Sequence, residues 1–405
     1  MKPRPNILFF FPDQWRGDWL PGRPDLPLRL PTLERLMERG TTFTRAFTPS
    51  PVCTPARVCL ATAKDYTECG VPHVMYDMPE GTETFYMRLR QAGYRVGGTG
   101  KYDLHKKTPG WGLEGTQRIG QWGFTDGQES GGKWDVARNT REKPLDPYSA
   151  ALHERGLAAT WCEDMIARDS YAATDPSPLP EELYYDSWIG ANSVRVIENF
   201  PPDQPWFLQI NYPGPHEPMD VTPNMHASTA GLSYPPPTEP GDRFDAATHQ
   251  RIRANYASMC ENIDRTMAEM IAAVEKRGEL ENTIIVFCSD HGEMLGDYGR
   301  WAKCLPHDAS VHVPLVIAGP GVAAGQRREE LVWLQDLCET YLELGGAPGP
   351  MEGSVGASLV PLLKGERPSW RDKLTSALPK WSRTIHADEV LYSRPAEELD
   401  TTGEW

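Results

Sequence analysis

Asn6-Ile7-Leu8-Phe9-Phe10-Phe11 runs directly into Pro12-Asp13-Gln14. An unbroken apolar run this short, closed by proline and polar residues, fits a strand buried on both faces. The Pro-Asp-Gln that follows marks where such a strand surfaces. Met1 to Phe11 does have a basic start. Its apolar stretch is nevertheless too short for the core of a secretion signal, and no small-residue cleavage site follows.

The pattern continues outward from this strand. Residues 31–39 read as a short helix with Gly40 as its C-terminal cap, and 42–47 as a strand. A helix over 82–92, ended by Gly93, leads to a strand at 94–98. Helix 181–200 leads to strand 206–212, and the amphipathic helix 246–277 to strand 283–289. A strand over 313–318 and a helix over 331–344 close the series. Strands alternating with helices predict an α/β fold, with a large, mostly parallel central sheet sandwiched by helices. Residues 105–180 interrupt the pattern with Gly, Pro, Trp and charges, and read as a long functional insertion. A Pro-rich loop follows strand 206–212 and runs to about residue 243.

A chain of 405 residues can bury a sizeable core, and 39% hydrophobic with 24% charged residues is ordinary for a globular protein. The net charge of −15, without any Lys/Arg cluster, argues against nucleic acid as a partner. No apolar run reaches the roughly eighteen residues of a membrane span. None of the eight cysteines forms a C-x-x-C pair, which disfavours a zinc knuckle. Without a secretion signal they are expected as free thiols in a cytoplasmic protein.

In open parallel sheets, ligands gather beyond the carboxyl ends of the strands. Polar clusters follow five predicted strands: Asp13-Gln14, Cys53-Thr54-Pro55-Ala56-Arg57, Gly100-Lys101, Pro215-His216-Glu217-Pro218 and Ser289-Asp290-His291-Gly292. Each alone has a bland reading. Cys53 would be a buried or free thiol, Asp290-His291 a turn with a helix cap, and Lys101 a solvated lysine. Their common position points them into one crevice. Gly100-Lys101 is no phosphate loop, because Tyr102 replaces the needed Ser or Thr.

Cys53-Thr-Pro-Ala-Arg57 matches the C-x-P-x-R signature of the sulfatases, which belong to the alkaline phosphatase superfamily. The resemblance extends to Pro5-Asn6-Ile7-Leu8 with Asp13-Gln14, to Leu89 through Lys101, to Asn282 through Asp297, and to Lys303 through Leu315. It spans roughly residues 5–365. It implies an alkaline phosphatase-like catalytic domain over 1–365. The segment 366–405, with room for one or two strands, would be the remnant of a smaller subdomain.

The resemblance also implies a mechanism. Cys53 would be oxidised to formylglycine by a dedicated installing enzyme, and the hydrated aldehyde would attack a small-molecule sulfate ester. Asp13, Gln14, Asp290 and His291, completed by the side chain at position 53, would bind one divalent cation. Three oxygens and one nitrogen suit Ca²⁺ first, with Mn²⁺ or Mg²⁺ as the other choices. Lys101 and Lys303 would hold the sulfate oxygens, and Arg57 the modified side chain. His216 is the expected general acid. His105 stands one or two positions beyond the family's usual histidine, as a second proton-transfer candidate. His307 replaces a common aromatic residue and is expected to touch the substrate. Ala63 stands where the family usually has glycine.

Two alternatives belong beside this reading. Asp13-Gln14-Trp15-Arg16 resembles the phosphonate monoester hydrolases, so a phosphonate monoester or phosphodiester is the alternative substrate. A non-enzymatic member that holds an anion or a metal is the alternative of another class. The complete set Asp13, Cys53, Arg57, Lys101, Asp290 and Lys303 argues against it. Recognition of the alcohol half should lie in 105–180, in loop 213–245 and in the tail. Trp111, Trp122 and Trp134 would there stack on a ring or pack their own loop.

Overall fold

The computed structural model describes residues 4–391 and 401–402. The main sheet is built from β1 (Asn6–Phe10), β2 (Gly40–Phe47), β3 (Arg95–Gly100), β4 (Asp126–Glu129), β5 (Trp206–Asn211), β6 (Thr283–Cys288), β7 (His312–Ala318), β8 (Gln326–Arg328) and β9 (Val332–Trp333). Their order is β4-β3-β5-β1-β6-β7-β2-β8, with β9 also paired to β2. All pairs are parallel except those of β7, which runs antiparallel to β6 and β2. This is the mostly parallel α/β sheet predicted from the sequence. A second, antiparallel sheet holds β10 (Lys373–Leu378), β11 (Trp381–His386) and β12 (Thr401–Thr402).

Side chains alternate across β1 as a period of two requires. Leu8 and Phe10 enter one core cluster, while Ile7, Phe9 and Phe11 enter the other. Onto the first face pack helices Pro31–Arg39, Tyr185–Asn199 and Ala246–Lys276. Onto the second pack Cys53–Thr62, Phe85–Gln91 and Gln335–Gly345. Burying one such large apolar side chain is worth about 1.5–3 kcal/mol, so two covered faces supply the main driving force. The 31-residue helix starts at Asp245, whose side chain accepts from the N–H of Thr248 at 2.7 Å. Among the described residues no helix is long and apolar enough to cross a membrane.

The structure adds local detail to these expectations. Gly40 caps helix Pro31–Arg39 as expected, but in extended rather than left-handed conformation, and it is also the first residue of β2. A Cβ there would lie 2.2 Å from the carbonyl oxygen of Ile317 on β7. The insertion 105–180 carries regular elements of its own. It supplies edge strand β4 and helices Lys133–Asn139, Pro147–Glu154 and Ala158–Ala167. β4 reads Asp-Gly-Gln-Glu and has no β propensity. Its pairing rests on backbone approach, since a Cβ on Gly127 would meet the Gly98 carbonyl oxygen at 1.7 Å. Trp111 and Trp122 are buried, the latter stacked on His105. The tail forms a hairpin that packs back on the main domain. Ala377 donates to the Pro49 carbonyl at 2.9 Å, Trp381 Nε1 to that of Cys304 at 3.2 Å, and Arg383 to that of Pro306 at 2.6 Å.

Ala63 closes helix Cys53–Thr62 at φ 58, a left-handed conformation, and is fully buried. That conformation costs an L-residue about 1–2 kcal/mol. The one methyl that glycine would lack contributes about 0.8 kcal/mol of burial. Ala63→Gly is therefore expected to stabilise the protein by roughly 0.5 kcal/mol. The measurement is a higher urea midpoint at unchanged m-value; a lower midpoint contradicts the account.

Candidate active site

Strand direction decides what meets at the carboxyl edge. β1 delivers Asp13, whose N–H donates to the carbonyls of Tyr212 and Gly214 beyond β5, each at 3.1 Å. β3 delivers Lys101, and β6 delivers Asp290 and His291. Because β7 is antiparallel, its entry and the preceding loop with Lys303 lie at this same edge. β2 leads to Cys53, the first residue of a helix. In that helix, residues four apart share a face, so C-x-x-x-R turns Cys53 and Arg57 to the same side. Pro55 sits in the first turn, where no N–H is needed.

Asp13, Cys53, Asp290 and His291 place their ligand atoms within 4.8 Å of one another, and all four residues are buried. Cys53 Sγ lies 3.2 Å from His291 Nε2 and 3.6 Å from Asp13 Oδ1. Arg57 binds the two carboxylates together. Its Nε donates to Asp290 Oδ2 at 2.9 Å, and its Nη2 lies 3.5 Å from Asp13 Oδ2. Its Nη1 donates to the Lys101 carbonyl at 2.8 Å and to Asn211 Oδ1 at 3.1 Å. The ring of Phe11 lies 4.8 Å below the guanidinium. Lys101 Nζ bonds Asp13 Oδ2 and lies 3.2 Å from Asp103 Oδ2. Burial pushes Asp13 upward, yet Lys101, His216, His291 and Arg57 together hold it well below the usual carboxylate range. Burial likewise opposes ionisation of Asp103, but Lys101 and Lys106 hold it at about 2.

An outer ring surrounds this cluster. Gln14 Nε2 donates to Glu217 Oε2 at 2.7 Å and also to Glu293 Oε2, while its Oε1 accepts from Lys303. Lys303 also donates to His216 Nε2. The other ring nitrogen of His216 faces the carbonyl of Glu217 at 2.7 Å, so in this arrangement the proton sits on Nδ1. Burial raises Glu217, but His216 and Lys303 outweigh it and hold the group at about 2. Burial and the Glu217 charge push Glu293 up to about 8. The insertion reaches the ring twice: Tyr171 donates to Glu293 at 3.1 Å, and Lys133 donates to the His216 carbonyl at 3.0 Å.

Two predicted residues take no part in this assembly. His105 is engaged through both ring nitrogens, by Glu129 at 2.8 Å and by the Thr108 carbonyl at 2.9 Å. His307 packs its ring 5.1 Å from Tyr298, and burial and Arg383 lower its pKa. Conversely, sequence reasoning singled out neither Glu217 nor Glu293 as a site residue. Each stands one or two positions from a predicted one, in His216-Glu217 and His291-Gly292-Glu293. Asp103, Asn211 and Tyr171 carried no comparable signal.

The family profile described as Sulfatase matches residues 5–347. The chain belongs to the sulfatase family. Membership makes it an enzyme of the sulfuric ester hydrolase class. It is 25% identical to an arylsulfatase of Clostridium perfringens over 91% of this chain and 80% of that protein. Its fold is similar to the phosphonate monoester hydrolase of Agrobacterium radiobacter, with a TM-score of 0.76 and 20% identity over 95% of this chain and 88% of that one. The phosphonate monoester hydrolase of Silicibacter pomeroyi gives a TM-score of 0.75 and 23% identity, covering 98% and 88%.

The donor set fits a divalent cation on its own chemistry. His291 Nδ1 faces the Gly292 carbonyl at 3.1 Å and therefore carries the proton. Nε2, with its lone pair free, is turned to Cys53 and Asp13. Burial lowers the pKa of this histidine, which favours the neutral form that binds metal. Two carboxylates beside it complete a hard, anionic pocket.

Below the site, Asp186 accepts from the Gly214 N–H at 2.9 Å, while its Oδ2 has no hydrogen-bond partner among the described residues. Burial raises it to about 6, with Lys133 opposing and Asp220 and Asp13 adding to the rise. The folded state then holds this proton more tightly than the unfolded chain. Its contribution is full below about pH 4 and is lost as pH rises through about 6, by roughly 2–3 kcal/mol. Asp186→Asn should remove this slope. Urea unfolding of both proteins from pH 4 to 7 checks it, and parallel pH profiles would contradict it.

Proposed function

We propose that the protein hydrolyses a small-molecule sulfate monoester, using formylglycine made from Cys53 by a dedicated installing enzyme, and one divalent cation. The observation that carries this reading is the convergence of Cys53 Sγ with Asp13 and His291 in one buried pocket walled by Arg57 and Lys101. The hydrated aldehyde supplies one hydroxyl to attack sulfur and a second whose loss of a proton lets sulfate leave. The cation, when bound, lowers the hydroxyl pKa and offsets the charge of the sulfate. Asp13, Asp290 and His291 would hold it, with the Gln14 carbonyl as fourth donor. Ca²⁺ suits this set first, then Mn²⁺ or Mg²⁺.

The chain's own groups divide the remaining tasks. Arg57 braces the carboxylates against the nucleophile. Lys101 and Lys303 bind the sulfate oxygens as charge builds on them. His216 Nε2 and Lys303 Nζ share one proton. That pair is placed to protonate the leaving alcohol oxygen. The burial of Cys53 and Lys101 limits the water around the reacting centre.

A second reading keeps the machinery and changes the substrate to a phosphonate monoester or phosphodiester. Gln14 and His291 in the donor set support it, through the resemblance of Asp13-Gln14-Trp15-Arg16 to that branch. Rates on an aryl sulfate and an aryl phosphonate ester, measured side by side, decide between them. Faster phosphonate turnover by orders of magnitude would displace the sulfate assignment.

Peptide mass spectrometry on protein from a formylglycine-competent host should find sulfur replaced by oxygen at position 53, with two hydrogens lost. Cys53→Ala should lower kcat/KM by about 10³-fold or more. Unchanged turnover in that variant removes the mechanism. His216→Ala should cost about 10²–10⁴-fold on an alkyl sulfate but little on a nitrophenyl sulfate, whose leaving group needs no proton. Equal losses on both would deny His216 the proton-transfer role.

A further inference from the structure

Two carboxylates beside an anion pocket call for a physical reason. Glu217 and Glu293 come from different strand ends, yet the Oε2 of each accepts from the same donor, Gln14 Nε2. At the other end of that amide, Oε1 accepts from the Lys303 ammonium. The two ends of an amide have the same shape, so packing alone does not orient it. Charge does. Turned round, the NH₂ would meet the Lys303 ammonium and the carbonyl oxygen would meet the Glu217 carboxylate.

We propose that Glu293, backed by Glu217, is a positioning residue that fixes the Gln14 amide with its carbonyl oxygen toward the cation pocket. The inference rests on the cation in the function proposed above.

The surroundings of both residues suit this role. The Gln14 backbone is held at φ 72, with its N–H on Asp290 Oδ1 at 3.1 Å and its carbonyl accepting from Tyr256 at 2.7 Å. The side-chain amide is the remaining freedom. Glu293 Oε1 is pinned by the N–H groups of Leu295 at 2.9 Å and Ala302 at 2.8 Å, so its position follows the loop that leads to Lys303. Tyr171 adds a hydrogen bond to Oε2. Partners that orient a ligand's donor atom typically change metal affinity by about 10–100-fold when lost.

Glu293→Gln keeps an acceptor for Leu295 and Ala302 but sets an NH₂ against the Gln14 NH₂. Titration calorimetry of Ca²⁺, Mn²⁺ and Mg²⁺ into the full chain reads the result. Glu293→Gln should weaken binding of the preferred ion by about tenfold or more. In a Gln14→Glu background the same change should strengthen binding, because residue 14 then accepts from the new NH₂ and keeps an oxygen for the ion. Affinity within twofold of wild type, or equal losses in both backgrounds, overturns the proposal while leaving the cation in place. A wild type that binds none of the three ions overturns the cation reading and this inference with it. If Glu293→Gln does not fold, Glu217→Gln is carried through the same cycle.

Discussion

The guanidinium of Arg57 between Asp13 and Asp290 is the interaction on which the site depends. Two carboxylates in one dry pocket resist joint ionisation, and an uncompensated buried charge costs several kcal/mol. Arg57 meets both acids, and Lys101 closes the remaining side of Asp13. Arg57 is itself kept by the Lys101 carbonyl, Asn211 and the face of Phe11. One buried cation thus ties together the exits of β1, β3, β5 and β6 and the helix that begins at Cys53. Losing it would leave Asp290 without its guanidinium partner at the exit of a central strand.

Strand direction does the rest. A parallel arrangement alone would carry the residues before β7 to the far edge of the sheet. Its antiparallel course brings the loop with Lys303 to the same edge as Asp13 and Asp290. That loop and the approach to Cys53 are then braced from outside by the hairpin β10–β11, through the carbonyls of Pro49, Cys304 and Pro306. The short tail is therefore in contact with both flanks of the reacting centre.

The parts legible in the sequence were those with one-dimensional signals. The β1 run is apolar on both faces because both faces are covered, and its polar exit announced Asp13 and Gln14. The helix Cys53–Thr62 gave no amphipathic period because it is buried all round. β4 stayed hidden because its pairing depends on glycine backbones, not on side-chain pattern. His105 lies apart from the cluster because Glu129, a partner 24 positions away, engages its ring. Glu217 and Glu293 adjoin predicted residues, but only the fold brings both to one amide of Gln14. Contacts of this kind have no local signature.

Charge arithmetic gives the inner cluster a direction. Asp13, Asp290 and Asp103 against Arg57 and Lys101 leave one formal negative charge in the buried set. Outside it, Lys303 is balanced by Glu217, while Glu293 is raised toward neutrality. A sulfate monoester is an anion, and such a pocket alone would repel it. One dication among Asp13, Asp290 and His291 turns the inner set to a single positive charge. The proposed cation would therefore favour substrate entry as well as aid the nucleophile. The acids that would hold it are the ones whose mutual repulsion Arg57 and Lys101 offset.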